Sequence, residues 1–283
     1  MQKIRNNVLE RLMKACLSRA EIDFILYISH YQDDSGRVIG LYYKNVCKAL
    51  EISYQTFYDV LRNLEKKGII SAQKAFYGDW DVTILDNQFE KEYSGYISTG
   101  NDIFINKDFL KCKAEEKLLA MEFLKIVKNP QNGGKYCISR EKFLEKYGAI
   151  LHVTKRILMR YLQSLKRFFS IGLKAGKYFI RLKKEYAEKE ISKKDKELIK
   201  EHVSGVVFRR QKATYTENEF RDTAQLLIQY ASRLGDGLIQ KFGEAVAESI
   251  GRRNNKIKNK YKWNRELNPK FVHQILLEKL PVK

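Results

Sequence analysis

The chain is poor in the features that mark several large classes of protein. Its 283 residues include only 3 prolines, 4 cysteines and 4 histidines. So few prolines exclude a collagen-like chain, and a hydrophobic content of 44% is typical of folded proteins rather than of disordered ones. No apolar run reaches the roughly 18 residues of a transmembrane helix. We therefore expect no membrane partner.

The cysteines and histidines are too scattered to indicate a metal site. Cys16, Cys47, Cys112 and Cys137 lie far apart, and no Cys-x-x-Cys pair occurs. Zinc modules usually carry such pairs, so we predict no metal and four buried, reduced thiols. Charges interrupt the N-terminal segment before an apolar core of signal-peptide length develops. The expected location is cytoplasmic and nucleoid-associated.

Motifs of common enzyme classes are also missing. The sequence has no P-loop, no Rossmann glycine fingerprint and no zinc-peptidase pair of histidines. No nucleophile with a nearby base can be named from spacing. We predict no catalytic residue, no cofactor and no enzymatic activity, although scattered carboxylates that converge in space leave a metal-dependent nuclease open.

What the chain has in excess is positive charge. Lys and Arg number 54 against 34 Asp and Glu, which gives a formal charge of +20. Residues 1–98 have a net charge of zero, residues 99–190 carry +11 and residues 191–283 carry +9. Such a protein is attracted to polyanions, of which nucleic acid is the commonest in a cell. Changes of pattern at the same boundaries predict three domains.

The first 98 residues have the order of elements of a winged helix-turn-helix domain. A capping box at Ser18 and Glu21 starts the first helix, and Ser53 is the predicted N-cap of the third. The order is helix, short strand, helix, helix and hairpin, at about residues 18–31, 37–40, 42–50, 54–67, 69–73 and 80–84.

Two segments of this domain resemble bacterial winged-helix proteins. Residues 49–56 (ALEISYQT) look like the turn and start of a recognition helix, and residues 61–70 (LRNLEKKGII) resemble its L-x-x-L-E-x-x-G-x-I ending. The resemblance, over residues 18–86, implies that this helix enters a DNA major groove about 12 Å wide. The predicted DNA contacts are Ser53, Gln55, Thr56, Tyr58 and Arg62. A protein-binding winged helix remains the alternative, because the net charge of this part is zero.

Residues 99–190 repeat the pattern with a more basic surface. The predicted elements are a strand at 102–105, a central helix at 114–127, a strand at 135–138, a short helix to about 147, a helix from Thr154 to about 168 and a hairpin at 172–182. Opposite its apolar face, the helix after Thr154 has seven residues, of which five are cationic. The predicted DNA contacts are Thr154, Lys155, Arg156, Arg160, Gln163 and Arg167 on the helix, and Lys174 and Lys177 on the hairpin. The alternative is a solvated basic face.

Two winged helices in tandem resemble the plasmid-type replication initiators of bacteria. The resemblance implies recognition helices in successive major grooves, at repeated sites near an origin. Tandem winged helices also occur in transcription regulators and in chromosome-condensation partner subunits. A transcription regulator and a protein-binding adaptor therefore stay open as alternatives.

Residues 191–283 predict a basic helical domain. A capping box at Thr216 and Glu219 starts a helix pair that is interrupted at residues 235–237, and Asn268-Pro269 starts the last helix. Arg252 and Arg253 begin a stretch to Trp263 with six basic residues and no acid, which we predict to contact phosphates. The apolar face of the last helix either docks on the helix pair or forms a homodimer.

Together these patterns predict a mainly α protein with small β-hairpin wings, in the α+β class. Two winged helix-turn-helix domains precede a helical C-terminal domain, and the predicted ligand is double-stranded DNA.

Overall fold

The computed structural model describes residues 2–75, 78–89, 95–186, 193–234, 238–254 and 264–280. Over these residues the protein is mixed α+β, mostly helical with three small sheets. It divides into two units. The first unit holds Met1–Val38, Tyr43–Gln73 and Asp81–Ser192, and the second holds Ile39–Tyr42, Lys74–Trp80 and Lys193–Lys283. The predicted boundaries at residues 98 and 190 stay a prediction.

The first unit begins with two elements that the sequence did not suggest. Strand β1 (Lys3–Arg5) pairs antiparallel with β5 (Tyr96–Ser98), with Ile4 opposite Ile97. Helix α1 (Asn6–Lys14) follows β1 directly and buries Val8, Leu9, Leu12 and Met13. Residues 3–5 are thereby paired with Tyr96–Ser98, which lies between the two blocks of the unit in sequence.

The first block of this unit, from α2 to β4, contains the predicted elements. They are α2 (Arg19–Ser29), β2 (Arg37–Tyr42), α3 (Tyr43–Leu50), α4 (Tyr54–Lys66), β3 (Ile70–Lys74) and β4 (Asp79–Ile84). The sheet order is β2-β4-β3. The predicted capping box is confirmed, because Ser18 Oγ accepts from Glu21 N at 3.3 Å and Glu21 Oε2 accepts from Ser18 N at 2.6 Å.

The position of α4 follows from its apolar spacing. Phe57, Val60, Leu61 and Leu64 are all buried, as their helical spacing predicts. Burying such side chains contributes on the order of 2 kcal/mol each. Gly68, at φ +65°, follows the helix in a left-handed conformation that favours glycine. The face opposite these four residues is consequently turned to solvent.

The second block, from α6 to β8, repeats this order. Its elements are α6 (Ala114–Val127), β6 (Tyr136–Ser139), α7 (Arg140–Ile150), α8 (Lys155–Leu165), β7 (Phe169–Lys174) and β8 (Lys177–Leu182), and α5 (Lys107–Lys111) precedes them. The antiparallel sheet has the order β6-β8-β7, which matches β2-β4-β3 in the first block. Ala175 and Gly176, both at positive φ, form the two-residue turn between β7 and β8.

The strand predicted at residues 102–105 is wrong. Phe104 N donates to Asn101 O at 3.0 Å, and Asn106 N donates to Ile103 O at 3.1 Å, so this segment is a series of turns. The Asn101 side chain also accepts from Ile103 N at 3.1 Å. Asparagine side chains offer the backbone local bonds that compete with strand pairing, and a short apolar run does not reveal this.

The prediction of four buried thiols is also partly wrong. Cys47 and Cys112 are buried, whereas Cys16 and Cys137 are exposed. Cys137 lies on β6 opposite Phe179, which is likewise exposed. Cys16 follows α1 at φ 47° in a loop. Sequence spacing alone did not distinguish these environments.

A buried ion pair joins the two blocks through their first helices. Lys117 of α6 is fully buried, and its Nζ bonds to the Asp23 carboxylate of α2 and to Leu110 O. Burial lowers the pKa of Lys117, against the opposing effect of Asp23. Lys125 of α6 also bonds to Glu10 of α1 at 3.1 Å. The packing of α2 on α6 therefore fixes one block against the other.

The second unit is built from four helices and two segments of the first block. The helices are α9 (Lys193–Arg210), α10 (Glu217–Leu234), α11 (Leu238–Asn254) and α12 (Pro269–Lys279). Ile275 and Leu276 of α12 are buried in the core of this unit, as one of the two predicted uses of that helix requires. The homodimer stays a prediction. No helix among the described ranges is long and apolar enough to cross a membrane.

Helix α9 packs on Ile39–Tyr42 and on Asp79 at the start of β4. Arg209 donates to Asp79 Oδ1 at 2.9 Å and to Gly40 O at 3.0 Å, and its guanidinium lies 4.6 Å from the Tyr42 ring centre. Gly40, at φ +70°, has no room for a Cβ, which would come within 2.5 Å of the Val206 methyl groups. The first hairpin is therefore part of the packing of the second unit.

Candidate nucleic-acid interface

Helix α8 presents a basic face because its other face is buried. Thr154 Oγ1 accepts from Ile157 N at 3.4 Å and caps the start of the helix, as predicted. Leu158, Tyr161, Leu162 and Leu165 are buried on the inner face. Lys155, Arg156, Arg160 and Gln163 are consequently exposed, and the last three follow one another at i, i+4 and i+7 along one stripe.

The cations of α8 have no internal counter-charge. The helix contains no acidic residue. Within the part of the chain that the structure describes, Lys155, Arg156 and Arg160 form no ion pair or side-chain hydrogen bond. Their charges are therefore available to an external anion without the breaking of an existing contact.

Arg167 does not lie where the sequence predicted. Helix α8 ends at Leu165, and Arg167 lies in the following turn, where its N donates to Ser164 O at 3.3 Å. Its guanidinium is 3.5 Å from Asp108 of α5, and both side chains are more than half exposed. Such an exposed pair contributes about 1 kcal/mol at most. Arg167 therefore belongs to the edge of the basic face and not to the helix.

The β7–β8 hairpin and α8 border a shared groove. Lys174 and Lys177 are exposed and lie opposite each other at the hairpin turn. The Tyr178 hydroxyl is 3.4 Å from Met159 Sδ and ties the hairpin to α8. The groove has a volume of about 260 Å³, and Arg140, Gln163 and Lys166 contribute its polar lining.

Sequence reasoning missed Arg140 as part of this groove. Arg140 is the first residue of α7, after the Ser139 cap, and its N donates to Gly176 O at 2.9 Å in the hairpin turn. The sequence signal was its position directly after an N-cap. That signal identifies a helix start but not its neighbour in space.

The exposed face of α4 is occupied by its own internal bonds. Ser53 Oγ accepts from Thr56 N at 3.1 Å and lies 2.8 Å from Thr56 Oγ1, so both predicted hydroxyls take part in the cap. Gln55 Nε2 donates to Asp59 Oδ1 at 3.0 Å, and Arg62 lies 3.5 Å from the same oxygen. Base contacts by these side chains would require the loss of those bonds.

Tyrosines dominate the same surface. Tyr54 and Tyr58 are 54% and 38% exposed. The Tyr43 ring lies 5.2 Å from that of Tyr54 and 6.4 Å from that of Tyr58. Sequence reasoning named Tyr58 alone, although the i, i+4 spacing of Tyr54 and Tyr58 indicates a shared patch.

Arg252 and Arg253 are engaged in ion pairs of the second unit. Arg252 bonds to Glu248 at 2.7 Å and to Glu278 at 2.6 Å, and Arg253 bonds to Glu266 at 2.8 Å. Hydrogen bonds from Lys279 and Arg252 hold the pKa of Glu248 below its ordinary value. Contact of these two arginines with phosphates stays a prediction, and it would require the loss of those ion pairs. Residues 255–263 of the same basic stretch lie outside the described residues.

Across the described ranges, no group of three or more His, Cys, Asp and Glu side chains could hold a metal ion. No family model, curated protein or solved structure matches the chain. The candidate interface therefore rests on its own geometry, which consists of α8, the β7–β8 hairpin and the groove between them.

Proposed function

We propose that the protein binds double-stranded DNA in a sequence-specific manner, with both blocks as winged helix-turn-helix domains and α8 as the main recognition helix. The observation that carries the proposal is the solvent face of α8. Within the described residues, it presents three cations that have no ionic partner and it carries no acidic residue, on a helix that is capped and packed from behind. A major groove about 12 Å wide admits one such helix.

The side chains of α8 have the chemistry for both parts of DNA recognition. Arg156 and Arg160 carry guanidinium groups that pair bidentately with guanine or with phosphate, and Gln163 carries an amide that pairs with adenine. Lys155 at the helix start is suited to a phosphate beside the groove. Lys174 and Lys177, which the sequence also predicts as duplex contacts, lie at the hairpin turn with their side chains on the face of the sheet away from α8, so their contact with the same duplex stays a prediction.

Among biological roles, the proposal favours a replication initiator of a plasmid or mobile element. The repeated block with the same sheet order supports it, because two linked blocks suit repeated DNA sites. A transcription regulator is the alternative on the same chemistry. For the first block alone, the neutral tyrosine surface of α4 favours a protein contact of the adaptor kind.

Selection from a pool of random duplexes, followed by affinity measurements over a salt series, tests the proposal. We expect an enriched sequence, and an affinity for it that falls steeply with salt because each neutralised phosphate contributes about −0.9 to the logarithmic slope. Repeats of the enriched sequence beside an origin support initiation, and a single palindrome in a promoter supports regulation. An adaptor would retain no duplex at any salt concentration, which would refute the proposal.

A further inference from the structure

The sheet of the second block has an outer face that differs chemically from α8. Strand β8 is central in the order β6-β8-β7. Along it, Tyr178 and Ile180 are buried, whereas Lys177, Phe179 and Arg181 are exposed. Because the Tyr178 hydroxyl contacts Met159 of α8, the buried side of β8 faces α8. Alternation along a strand then places the three exposed side chains on the opposite side of the sheet.

A partly exposed aromatic ring lies at the centre of this outer face. Phe179 is 37% exposed and stands between Cys137 on β6 and Gly172 on β7. A Cβ built at Gly172 would meet nothing within 4 Å, so the space beside the ring on that strand is open. The exposed part of the Phe179 ring can therefore be reached by a ligand from the β7 side.

The charged groups around the ring are all positive. The residues of the outer face are Cys137, Ser139, Ser170, Gly172, Lys174, Lys177, Phe179 and Arg181, and none is acidic. Within the described ranges, Lys174, Lys177 and Arg181 form no ion pair or side-chain hydrogen bond. Lys174 and Lys177 lie directly opposite each other, a placement of like charges that disfavours the sheet. An anionic ligand would relieve this repulsion.

We propose that the outer face of this sheet binds an unpaired DNA strand. Phe179 stacks on a base, and Lys177 and Arg181, each about 7 Å from it along β8, hold the phosphates on either side. The bases of a duplex are stacked on one another, so a ring on an open sheet would find no base face there. This inference deepens the proposed function, in which duplex DNA binds at α8 on the other side of the sheet.

Binding of a fluorescein-labelled oligothymidylate of about 12 nucleotides, followed by anisotropy, tests the site. We expect Phe179→Ala to weaken binding between about fivefold and a hundredfold, and Phe179→Trp to restore it. Arg181→Ala should weaken binding and reduce its salt dependence. The matched control is Leu173→Ala, which removes an exposed apolar side chain from the side of the same hairpin that faces α8. This variant should leave the affinity for oligothymidylate unchanged.

A duplex arm separates this inference from the proposed function. Arg156→Ala with Arg160→Ala should reduce duplex binding and keep oligothymidylate binding, whereas Phe179→Ala should do the reverse. If the wild-type protein binds oligothymidylate but no duplex, the proposed function fails and the strand site stands. The strand site is refuted if oligothymidylate does not bind, or if Phe179→Ala binds oligothymidylate as tightly as the wild type does. It is also refuted if polyglutamate, added at the same concentration of negative charges, displaces the bound oligothymidylate. Circular dichroism of Phe179→Ala and Phe179→Trp shows whether both variants keep the fold.

Discussion

Helices α4 and α8 occupy equivalent positions in two blocks of the same element order, yet the exposed face of α4 is neutral and that of α8 is basic. Helix α4 carries Asp59 and Glu65 against Arg62 and Lys66. Asp59 accepts a hydrogen bond from Gln55 and lies 3.5 Å from Arg62. Helix α8 carries three cations and no acid, and its cations have no partner in the described ranges. The element order fixes where the third helix lies, and the side chains on its solvent face decide whether a polyanion is attracted to it.

The hairpins of the two blocks also differ in the charged groups that they expose. Asp79, the first residue of β4 in the first hairpin, belongs to the second unit, where its buried carboxylate accepts from Arg209. The second hairpin exposes Lys174 and Lys177 at its tip. Two hairpins at equivalent positions therefore differ in use, because the first is in contact with α9 and the second carries exposed cations.

The largest effect that we expect is on duplex affinity, when the two arginines that distinguish α8 from α4 are removed. Arg156→Ala combined with Arg160→Ala should weaken binding to the selected duplex about 100-fold, because each bidentate base contact contributes roughly 1–3 kcal/mol. Gln55→Ala combined with Tyr58→Ala on α4 should weaken it less than about threefold, since an exposed interaction of this kind contributes well under 1 kcal/mol. Fluorescence anisotropy at fixed salt measures both affinities.

A control for charge is needed in that comparison. Arg221→Ala combined with Lys270→Ala removes two charges from exposed positions of the second unit and should leave site preference unchanged. If the α8 double variant loses affinity for random and selected duplexes equally, then α8 binds phosphates and does not read bases. An equal loss from the α4 double variant would show that the two helices are equivalent.

A smaller effect is expected from a contact between α9 and β2 within the second unit. His202 of α9 lies 2.9 Å from Ile39 O, and burial, reinforced by Arg209, lowers its pKa from 6.5 to about 4. Between these two values the unfolded chain binds a proton that the folded chain does not, so the free energy of unfolding falls as pH decreases. We expect a loss of about 1–2 kcal/mol between pH 7 and pH 5, after allowance for partial exposure.

Urea unfolding of the full chain at both pH values measures this loss. His202→Gln keeps a side-chain amide for Ile39 O and cannot be protonated in this range, so it should remove most of the pH dependence. A variant that shows the wild-type dependence would indicate that other groups cause it. Carboxylates that are ion-paired in the second unit, such as Glu248, act mainly below this range because their pKa is lowered.

The sequence predicted most elements of both blocks because periodicity and capping are local. Ser53, Thr154 and Asn268 cap helices as expected, and the apolar faces of α4 and α8 are buried. Pairings between distant segments were not predictable in this way. Strands β1 and β5 have three residues each and lie more than 90 residues apart, so neither has a period long enough to recognise.

The candidate site shows the same limit. Exposure of Arg156 and Arg160 follows from the helical period, and the structure agrees with it. The loss of Arg252 and Arg253 to Glu248, Glu278 and Glu266 depends on how α11, α12 and the segment before α12 pack, which a local pattern does not contain. The contact between Asp79 of the first hairpin and Arg209 of α9 likewise joins residues that are 130 positions apart in the sequence. A count of basic residues in a sequence therefore overstates the number that have no ionic partner in the folded protein.

The smallest expected effect comes from making α4 more like α8. Asp59→Asn removes the acid next to Tyr58 on α4, and its amide oxygen can still accept from Gln55. Loss of one repulsive charge at an exposed site should raise affinity for random duplex by roughly two- to fivefold at low salt, and by nothing measurable at high salt. Affinity measured at two salt concentrations checks this. If Asp59→Asn also raised preference for the selected sequence, α4 would be reading bases, and the contrast between the two blocks would be one of degree.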